Sequence, residues 1–310
     1  RGLGDVYKRQ GPTASGKSAL AMLLCRKYGG ELISCDSMQI YRRMDIGTAK
    51  ATAGERAAAV HHMLDVADPA ESWSVARYVE EATRCCDDII ARGRLPIVVG
   101  GTGLYINALA DNTVFITEKA DVTLRDRLEK RFDSIGGAAM LKELEAIDPV
   151  SAAKLHPNDR KRIVRALEVY SLTGETKTRQ NELSKTGEKI INPLFIGITY
   201  KDRQRLYDRI NLRVDKMLEN GLLNEAEAAL NRSGGGAFQA IGHKELAGYI
   251  NGECTLDEAA KRLKMQTRRY AKRQLTWFRR DRRITWLDVS TFESAEALGE
   301  EVCRICTRGM

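Results

Sequence analysis

One stretch near the start of the chain has the residue types and spacing to bind a phosphate. Residues 11–18 match the phosphate-loop pattern G-x-x-x-x-G-K-S, and the candidate binding residues are Gly11, Pro12, Thr13, Ala14, Ser15, Gly16, Lys17 and Ser18. Glycines let the backbone curl so that successive N–H groups point at an anion. Lys17 would place a charge over the outer phosphate, and the Ser18 hydroxyl would bind Mg²⁺. The alternative, a chance glycine turn before a helix, does not explain the complete pattern.

A carboxylate follows the next strand pattern in the chain. Residues 31–35 read as a short strand, and Asp36 comes directly after them. Ligands of open α/β sheets bind at the carboxyl ends of the strands, so we expect Asp36 beside the phosphate loop. A carboxylate next to a bound substrate can take its proton, which makes Asp36 a candidate general base. A backbone cap or an outer ligand of Mg²⁺ is the alternative role.

A glycine pair ends the most apolar strand pattern. Residues 95–99 run into Gly100-Gly101-Thr102. Two glycines at the carboxyl end of a strand allow a ligand to approach the backbone closely. Thr102 would then donate a hydrogen bond to that ligand, and a plain turn is the alternative.

Strand and helix patterns alternate on both sides of a purely helical stretch. From about residue 121 to residue 178 the periodicity is helical only, and a strand pattern returns at 194–200. We predict an α/β fold with a phosphate-loop, kinase-like parallel sheet core, formed by residues 11–120 and 190–310. Residues 121–189 are predicted to form a helical insertion domain. Residues 1–10 offer only Val6 and Tyr7 as strand formers, so we expect this segment to be non-native or disordered.

The positive charge of the chain is concentrated on one predicted helix. The net charge is +8, and no Asp or Glu occurs between Lys261 and Arg280. At helical spacing, one face of residues 256–280 carries Lys261, Arg268, Lys272 and Arg279, and a flank carries Arg262, Arg269, Arg273 and Arg280. Unpaired rows of this length are typical of a surface that follows a phosphate backbone. A merely solvated face is the alternative, although such faces usually mix both signs.

The remaining composition excludes other classes of protein. The 310 residues are 43% hydrophobic and 30% charged, which supports a folded core, and no apolar run approaches the roughly 18 residues of a membrane span. Seven scattered cysteines are typical of reduced thiols, so we expect a cytoplasmic protein. Cys303 and Cys306 lack a second pair or a histidine nearby, which argues against a zinc site.

Taken together, these motifs resemble the tRNA dimethylallyltransferase (isopentenyltransferase) family. The resemblance runs in family order from residue 11 to about residue 287 and is carried by residues 11–18, 36–41, 44–50, 100–105, 159–170, 209–215 and 272–279. It implies transfer of a dimethylallyl group from dimethylallyl diphosphate to N6 of the adenosine just 3′ of a tRNA anticodon, with Mg²⁺ as cofactor. It also implies that the helical insertion grips the anticodon arm. We expect a monomer with no membrane partner.

The same resemblance implies roles for particular residues. Asp36 would be the base on N6, and Lys17, Arg213 and Ser18 with its Mg²⁺ would hold the departing diphosphate. Contacts to tRNA would come from Asp36, Ser37, Met38, Gln39, Thr102, Arg125, Lys161, Arg162, Ile163, Val164, Arg165, Gln239, Ala240, Ile241, Gly242, His243, Lys244, Lys272, Arg273, Gln274, Leu275, Thr276, Trp277, Phe278 and Arg279. His243 departs from the family pattern, in which a tyrosine is more usual.

Three alternative functions share part of this pattern. A small-metabolite or nucleoside kinase has the phosphate loop but no use for a long basic helix. A GTPase-type RNA binder would need an N-K-x-D motif, which the chain lacks. An isopentenyltransferase acting on free nucleotides would bind AMP in preference to tRNA.

Overall fold

The computed structural model describes residues 7–10, 15–113, 115, 122–184, 193–231 and 240–309, and all structural statements below concern these residues. The chain divides into two units. One comprises Arg1–Ala110 and Lys189–Met310, and the other comprises Asp111–Glu188. Within the described ranges, no helix is long and apolar enough to cross a bilayer.

The first unit is built on a parallel sheet with six described strands. They are β1 (Tyr7–Gln10), β2 (Glu31–Cys35), β3 (His61–His62), β4 (Pro96–Gly100), β5 (Leu194–Thr199) and β6 (Ile284–Asp288). Their order is β3-β2-β4-β1-β5-β6, and each neighbouring pair is parallel. The direction of strand addition therefore reverses beside β1, and such a point forms a crevice at the carboxyl ends of the strands. The predicted phosphate-loop fold class is confirmed.

Thirteen helices are described along the chain. They are α1 (Lys17–Tyr28), α2 (Ala53–Ala58), α3 (Val75–Ala91), α4 (Gly103–Ala110), α5 (Val122–Ile147), α6 (Pro149–Ala152), α7 (Arg160–Thr173), α8 (Lys177–Leu183), α9 (Arg203–Glu219), α10 (Leu222–Leu230), α11 (His243–Ile250), α12 (Leu256–Phe278) and α13 (Ala295–Gly309). Helix α12 begins at a capping box, in which Thr255 and Glu258 satisfy each other's backbone N–H groups. This cap and the strong amphipathic pattern explain why α12 is the longest uninterrupted helix of the first unit.

Helices cover the sheet and bury its apolar side chains. On one face, α1 and α13 pack over Leu32, Ile97 and Ile196. Helix α3 contacts β2 and β4, and its buried Tyr78 donates a hydrogen bond to the Ser34 carbonyl at 3.1 Å. The Tyr78 ring stacks on Tyr105 of α4, with 4.3 Å between ring centroids. These contacts hold the carboxyl ends of β2 and β4, where the candidate site residues follow.

Strand β1 corrects one prediction from the sequence. Tyr7–Gln10 lie in the middle of the sheet and pair with β4 on one side and β5 on the other. The expectation of disorder is therefore wrong for these four residues, while residues 1–6 lie outside the described part of the chain. The physical reason is that backbone N–H and C=O groups form the ladder whatever the side chains are.

The second unit contains α5 to α8 and has its own core. Helices α5 and α7 pack through Leu128, Met140, Leu144, Ile163 and Leu167. Gly136 interrupts α5 with a φ of 80°, in the left-handed region that glycine adopts without strain. Its position divides α5 into two helical segments.

A buried carboxylate anchors the start of β2. The side chain of Glu31 is 1% exposed and forms hydrogen bonds with both terminal nitrogens of Arg92 and, at 2.7 Å, with Nε2 of His62. Arg92 is the main cause that lowers the pKa of Glu31 to about 2, with burial opposing it and His62 assisting. Glu31 thus fixes one end of the strand whose other end carries Asp36.

We expect Glu31 to make the stability of the protein dependent on pH in the acid range. Its folded-state pKa of about 2 lies below that of an unfolded glutamate, so its contribution is complete above about pH 4.3 and is lost as the pH falls through 2. Glu31→Gln should therefore lower the free energy of unfolding at pH 6 by about 3 kcal/mol, and the difference from wild type should shrink toward pH 2. Urea unfolding across this pH range measures it; a difference independent of pH would contradict it.

Candidate active site

The described part of the phosphate loop leads directly into α1. Gly11, Pro12, Thr13 and Ala14 lie outside the described residues, whereas Ser15 to Ser18 are placed. Gly16 is the N-cap of α1 with a φ of 94°, which disfavours any residue with a side chain. The Ser15 hydroxyl is buried with no hydrogen-bond partner within the described residues. Lys17 and Ser18 then form the first turn of α1, where backbone N–H groups favour an anion.

Two cavities meet at the start of α1. The first cavity, of about 380 Å³, is lined by Asp36 and by residues of α9 to α12 and β4. The second cavity, of about 860 Å³, is lined by basic side chains that include Lys50, Arg56, Arg209 and Lys216. Both cavities are bordered by Lys17, Ser18, Ala49, Arg213 and Met217. The cations at this junction are therefore accessible from either side.

Lys17 stands in surroundings that disfavour its charge while no anion is bound. Burial is the main cause that lowers its pKa to about 7, and the positive charge of Arg213 lowers it further, while Asp36 opposes both. Two cations that repel each other away from water gain free energy when an anion binds between them. The junction is therefore arranged to receive a multiply charged anion such as a diphosphate.

Asp36 borders the first cavity immediately after β2. Burial raises the pKa of its carboxyl group, although the Met38 N–H, Lys17, the Gln39 N–H and Arg213 all lower it. One carboxylate oxygen accepts the Met38 N–H at 2.9 Å, so the backbone-cap role describes part of its contacts. A raised proton affinity in a cavity is what a general base requires. The structure thus shows the backbone contact, and the role of Asp36 as general base stays a prediction.

Another part of the wall of the first cavity is formed by α12 and by the glycines at the end of β4. Gln274 is buried, and its Nε2 donates a hydrogen bond to the Gly101 carbonyl at 2.9 Å. A Cβ atom at Gly101 would lie 2.2 Å from that nitrogen, so glycine is needed for this close approach. Tyr270 also lines the first cavity, and burial raises the pKa of its hydroxyl group. The sequence analysis does not single out Tyr270 as a site residue.

A sequence model of the family described as "IPP transferase" matches residues 39–281 of this chain. The chain belongs to this family. Among curated relatives, a tRNA dimethylallyltransferase from Caldanaerobacter subterraneus is 44% identical over 94% of both chains. Another protein of that name, from Carboxydothermus hydrogenoformans, is 47% identical over 94% of both chains.

Solved structures of family members have the same fold. A tRNA isopentenylpyrophosphate transferase from Bacillus halodurans is 45% identical, with a TM-score of 0.68 over 92% of this chain and 90% of the other. A eukaryotic dimethylallyltransferase, captured in crystallographic snapshots acting on tRNA, is 33% identical, with a TM-score of 0.77 over 92% of this chain and 74% of the other.

Several residues predicted to contact tRNA surround the first cavity. The cavity is lined by Asp36, Ser37, Met38, Gln39, Ala240, Ile241, Gly242, Lys244, Arg273 and Gln274. Thr102 connects two of its walls, since its Oγ1 accepts the Ser37 N–H at 3.0 Å. Gln239 lies outside the described residues. Along the rest of α12, Lys272, Thr276 and Arg279 are exposed, Trp277 is 40% exposed, and Leu275 packs against α9.

Four predicted tRNA contacts require correction. The side chains of Ile163, Val164, His243 and Phe278 are at most 2% exposed, so they pack inside the units instead of facing a partner. The prediction carried whole motif segments over from the family resemblance. A helix presents only some of its positions to solvent, and the others form its core.

In the second unit, one carboxylate binds two of the arginines that are predicted to contact tRNA. The sequence analysis does not identify this carboxylate. Arg125 and Arg165 each donate a hydrogen bond at 2.7 Å to the same oxygen of Glu168, whose side chain is fully buried. Both guanidinium groups remain about half exposed, at 44% and 48%. Lys161 and Arg162 are exposed on the same helix, α7. Glu168 was missed because one glutamate among helical charges carries no distinctive spacing.

One residue of the predicted basic face of α12 packs against a neighbouring helix. Arg268 donates a hydrogen bond at 2.7 Å to Asn211 of α9 and lies over the Tyr207 ring, so it belongs to the packing between the two helices. Lys261, Arg262, Arg269, Lys272, Arg273, Arg279 and Arg280 are exposed, and Lys261 is paired with Asp257. The exposed basic surface of α12 is defined here as these seven residues, of which Arg279 and Arg280 follow the last turn of the helix.

We expect anion binding to be accompanied by proton uptake at Lys17. With a pKa of about 7, Lys17 is mainly neutral at pH 8 when no anion is bound, and a bound diphosphate raises that pKa. Titration of inorganic diphosphate at pH 8 in buffers of different ionisation enthalpy should show about one more proton taken up by wild type than by Lys17→Met. The difference should vanish near pH 5.5, where Lys17 is already charged. Equal uptake by the two proteins at pH 8 would contradict it.

We expect the exposed basic surface of α12 to give tRNA binding its salt dependence. Lys272→Gln with Arg279→Gln should flatten the slope of log affinity against log salt by about one to two units, because fewer counterions are released. The matched control is Arg26→Gln with Lys27→Gln, two exposed cations at the end of α1. Filter-binding titrations with tRNA measure both slopes. Equal slopes in the two double variants would show that the α12 charges are only solvated.

Proposed function

We propose that this protein transfers a dimethylallyl group from dimethylallyl diphosphate to N6 of the adenosine immediately 3′ of the anticodon in tRNA. The products are N6-dimethylallyladenosine and diphosphate. The observation that carries the proposal is the junction of Lys17, Ser18 and Arg213 beside Asp36, in a chain whose relatives are named tRNA dimethylallyltransferase.

The cationic junction suits the departure of a diphosphate. The bond between C1 of the allyl group and the diphosphate oxygen breaks, and the bonding electron pair leaves with the diphosphate. Lys17, Arg213 and the N–H groups at the start of α1 stabilise the charge that develops there. Because Lys17 and Arg213 are already in place without an anion, little reorganisation is needed during the reaction.

Asp36 suits the removal of a proton from the accepting amine. A bond forms between N6 and C1, and the proton lost by N6 goes to the Asp36 carboxylate. Burial raises the pKa of Asp36, which improves its ability to hold that proton. Adenine inside a stack is inaccessible, so the base must leave the anticodon loop and occupy the first cavity. Tyr270, Arg273 and Gln274 border that cavity together with Asp36.

The residues at the start of α1 fit a Mg²⁺ ion. Mg²⁺ takes oxygen ligands and is usually held by one or two protein groups together with substrate phosphates and water. The exposed Ser18 hydroxyl borders both cavities, and Asp36 borders the first. When bound, Mg²⁺ would add positive charge against the departing diphosphate.

We propose that tRNA binds through the exposed basic surface of α12, the rim of the first cavity and, in the second unit, Arg125, Lys161, Arg162 and Arg165. Phosphate contacts of this kind position the RNA, and the cavity selects the base. We further propose that the protein acts in the cytoplasm, where thiols stay reduced, because none of its seven cysteines forms a disulfide. We propose that it acts as a monomer.

The experiment that tests the function is a transfer assay with purified protein. Radiolabelled dimethylallyl diphosphate, Mg²⁺ and unmodified tRNA should give labelled tRNA, and nuclease digestion should yield N6-dimethylallyladenosine. AMP in place of tRNA should give little product. Hydrolysis of ATP or phosphorylation of a metabolite without prenyl transfer would indicate a kinase. The names of the relatives do not favour that alternative.

We expect Asp36→Asn to lower kcat by about 10²-fold, because the substitution keeps the shape of the side chain and removes the proton acceptor. Binding of tRNA should change by less than about twofold. In wild type the rate should rise with pH through the pKa of Asp36, since only the ionised carboxylate accepts a proton. A variant with near-normal kcat would show that another group takes the proton.

A further inference from the structure

A short loop separates the two cavities, and the function proposed above gives it no role. In residues 45–49, Gly47, Thr48 and Ala49 line the first cavity, while Asp45, Ile46 and Ala49 line the second. Ala49 has a φ of 48°, in the left-handed region that a residue with a side chain rarely adopts. Such a conformation persists only where surrounding contacts impose it.

One carboxylate holds the N–H side of this loop. Oε2 of Glu225 accepts the N–H groups of Asp45 and Ile46 at 2.7 and 2.8 Å, and Oε1 accepts that of Gly47 at 2.9 Å. Three successive N–H groups around an anion form a nest, and the charge of the acceptor strengthens each hydrogen bond. Burial raises the pKa of Glu225, but its hydrogen bonds to His243 and to the loop outweigh burial and lower it.

His243 supports Glu225 from behind. Its Nε2 lies 2.9 Å from Oε1 of Glu225, and its side chain is fully buried. Its Nδ1 is buried without a hydrogen-bond partner within the described residues, so the contact with Glu225 is the hydrogen bond that orients the ring. This contact accounts for the residue that departs from the family pattern.

The carbonyl side of the loop is held by a different element. Nε2 of Gln39 donates to the carbonyls of Thr48 and Ala49 at 3.1 and 3.2 Å, and its Oε1 accepts the Ser34 hydroxyl at 2.7 Å. The loop is therefore fixed between the end of β2 and α10. Removing the anchor on either side would release the strained backbone at Ala49.

No space remains between the loop and Glu225. A Cβ atom at Gly47 would lie 3.1 Å from Nε2 of His243, 3.2 Å from Cδ1 of Leu222 and 3.3 Å from Oε1 of Glu225. Each distance is shorter than ordinary van der Waals contact. A methyl group at residue 47 would therefore press on these three side chains and disturb the contact between the loop and Glu225.

We propose that Glu225, supported by His243, is a positioning residue for dimethylallyl transfer, because it fixes the loop 45–49 as the wall between the two cavities. This inference rests on the function proposed above. The reacting carbon must lie between the diphosphate at Lys17 and Arg213 and the amine at Asp36, and the loop borders both places. A displacement of about 1 Å in such a wall can lower a rate by about 10²-fold.

The principal test is Glu225→Gln. The amide keeps the size of the side chain but removes the charge and directs an NH₂ group at N–H donors. We expect kcat to fall by about ten- to a hundredfold, the Kd of inorganic diphosphate to rise severalfold and the Kd of tRNA to change by less than about twofold. Amide hydrogen exchange should be faster at residues 45–47.

The matched control is Glu258→Gln. Glu258 also accepts a backbone N–H, that of Thr255 at 2.9 Å, and lines neither cavity. This variant should lose stability at the start of α12 while kcat stays near the wild-type value. If it lost kcat as much as Glu225→Gln for an equal change in melting temperature, Glu225 would be a stability residue only, and the inference would be overturned.

A second variant, Gly47→Ala, disturbs the same contact through a change in the loop and leaves the Glu225 side chain unchanged. It should lower kcat by a similar factor, and the double variant should lose less than the product of the two single effects, because both act on one contact. Independent, multiplicative effects would overturn the inference, and so would unchanged kcat in both single variants. If Glu225→Gln does not fold, Gly47→Ala alone decides.

The outcomes also separate this inference from the proposed function. If wild type transferred no dimethylallyl group, the proposed function would be wrong, and the inference would be judged on diphosphate binding and hydrogen exchange. Unchanged values of both in Glu225→Gln would then overturn it. If wild type were active and the variants had the same kcat as wild type, the proposed function would stand and the inference would be overturned.

Discussion

The burial of Lys17 beside Arg213 is the constraint on which the candidate site depends. Burial is the main cause that lowers the pKa of Lys17 to about 7, Arg213 lowers it further, and Asp36 opposes both. The fold tolerates this because α1 and α9 are fixed by their own cores, which include Leu24 and Ile210. The packing of the helices therefore preorganises the site for an anion, which lowers the free-energy cost of binding.

Buried carboxylates recur as the groups that hold functional elements in place. Glu31 anchors the start of β2, Glu168 orients Arg125 and Arg165, and Glu225 holds the loop between the cavities. Each is at most 10% exposed on its side chain and has two or more charge-assisted hydrogen bonds. A buried carboxylate is costly unless it is partnered, so these hydrogen bonds favour one arrangement of the neighbouring groups.

Asp36 shows how one side chain serves two purposes. Its contact with the Met38 N–H closes the turn after β2, and the same carboxylate borders the cavity in which a substrate base would lie. Positive charges at Lys17 and Arg213 lower its pKa and burial raises it, so its proton affinity depends on the anion that neutralises those cations. In the proposed reaction, binding of the diphosphate and acceptance of the proton would therefore be coupled through electrostatics.

The sequence by itself determined the phosphate loop, the strand ends with Asp36 and Gly101, the α/β fold class and the charged helix, because these depend on local residue types and on periodicity. It missed the central position of β1, since backbone pairing forms that strand in spite of its side chains. It also missed Glu168, Glu225 and the place of Tyr270, because their partners are distant in the chain. Gly47 and Glu225, for example, are 178 positions apart. Only tertiary packing brings such groups together, and burial then turns Ile163, Val164, His243 and Phe278 away from a partner and toward the core.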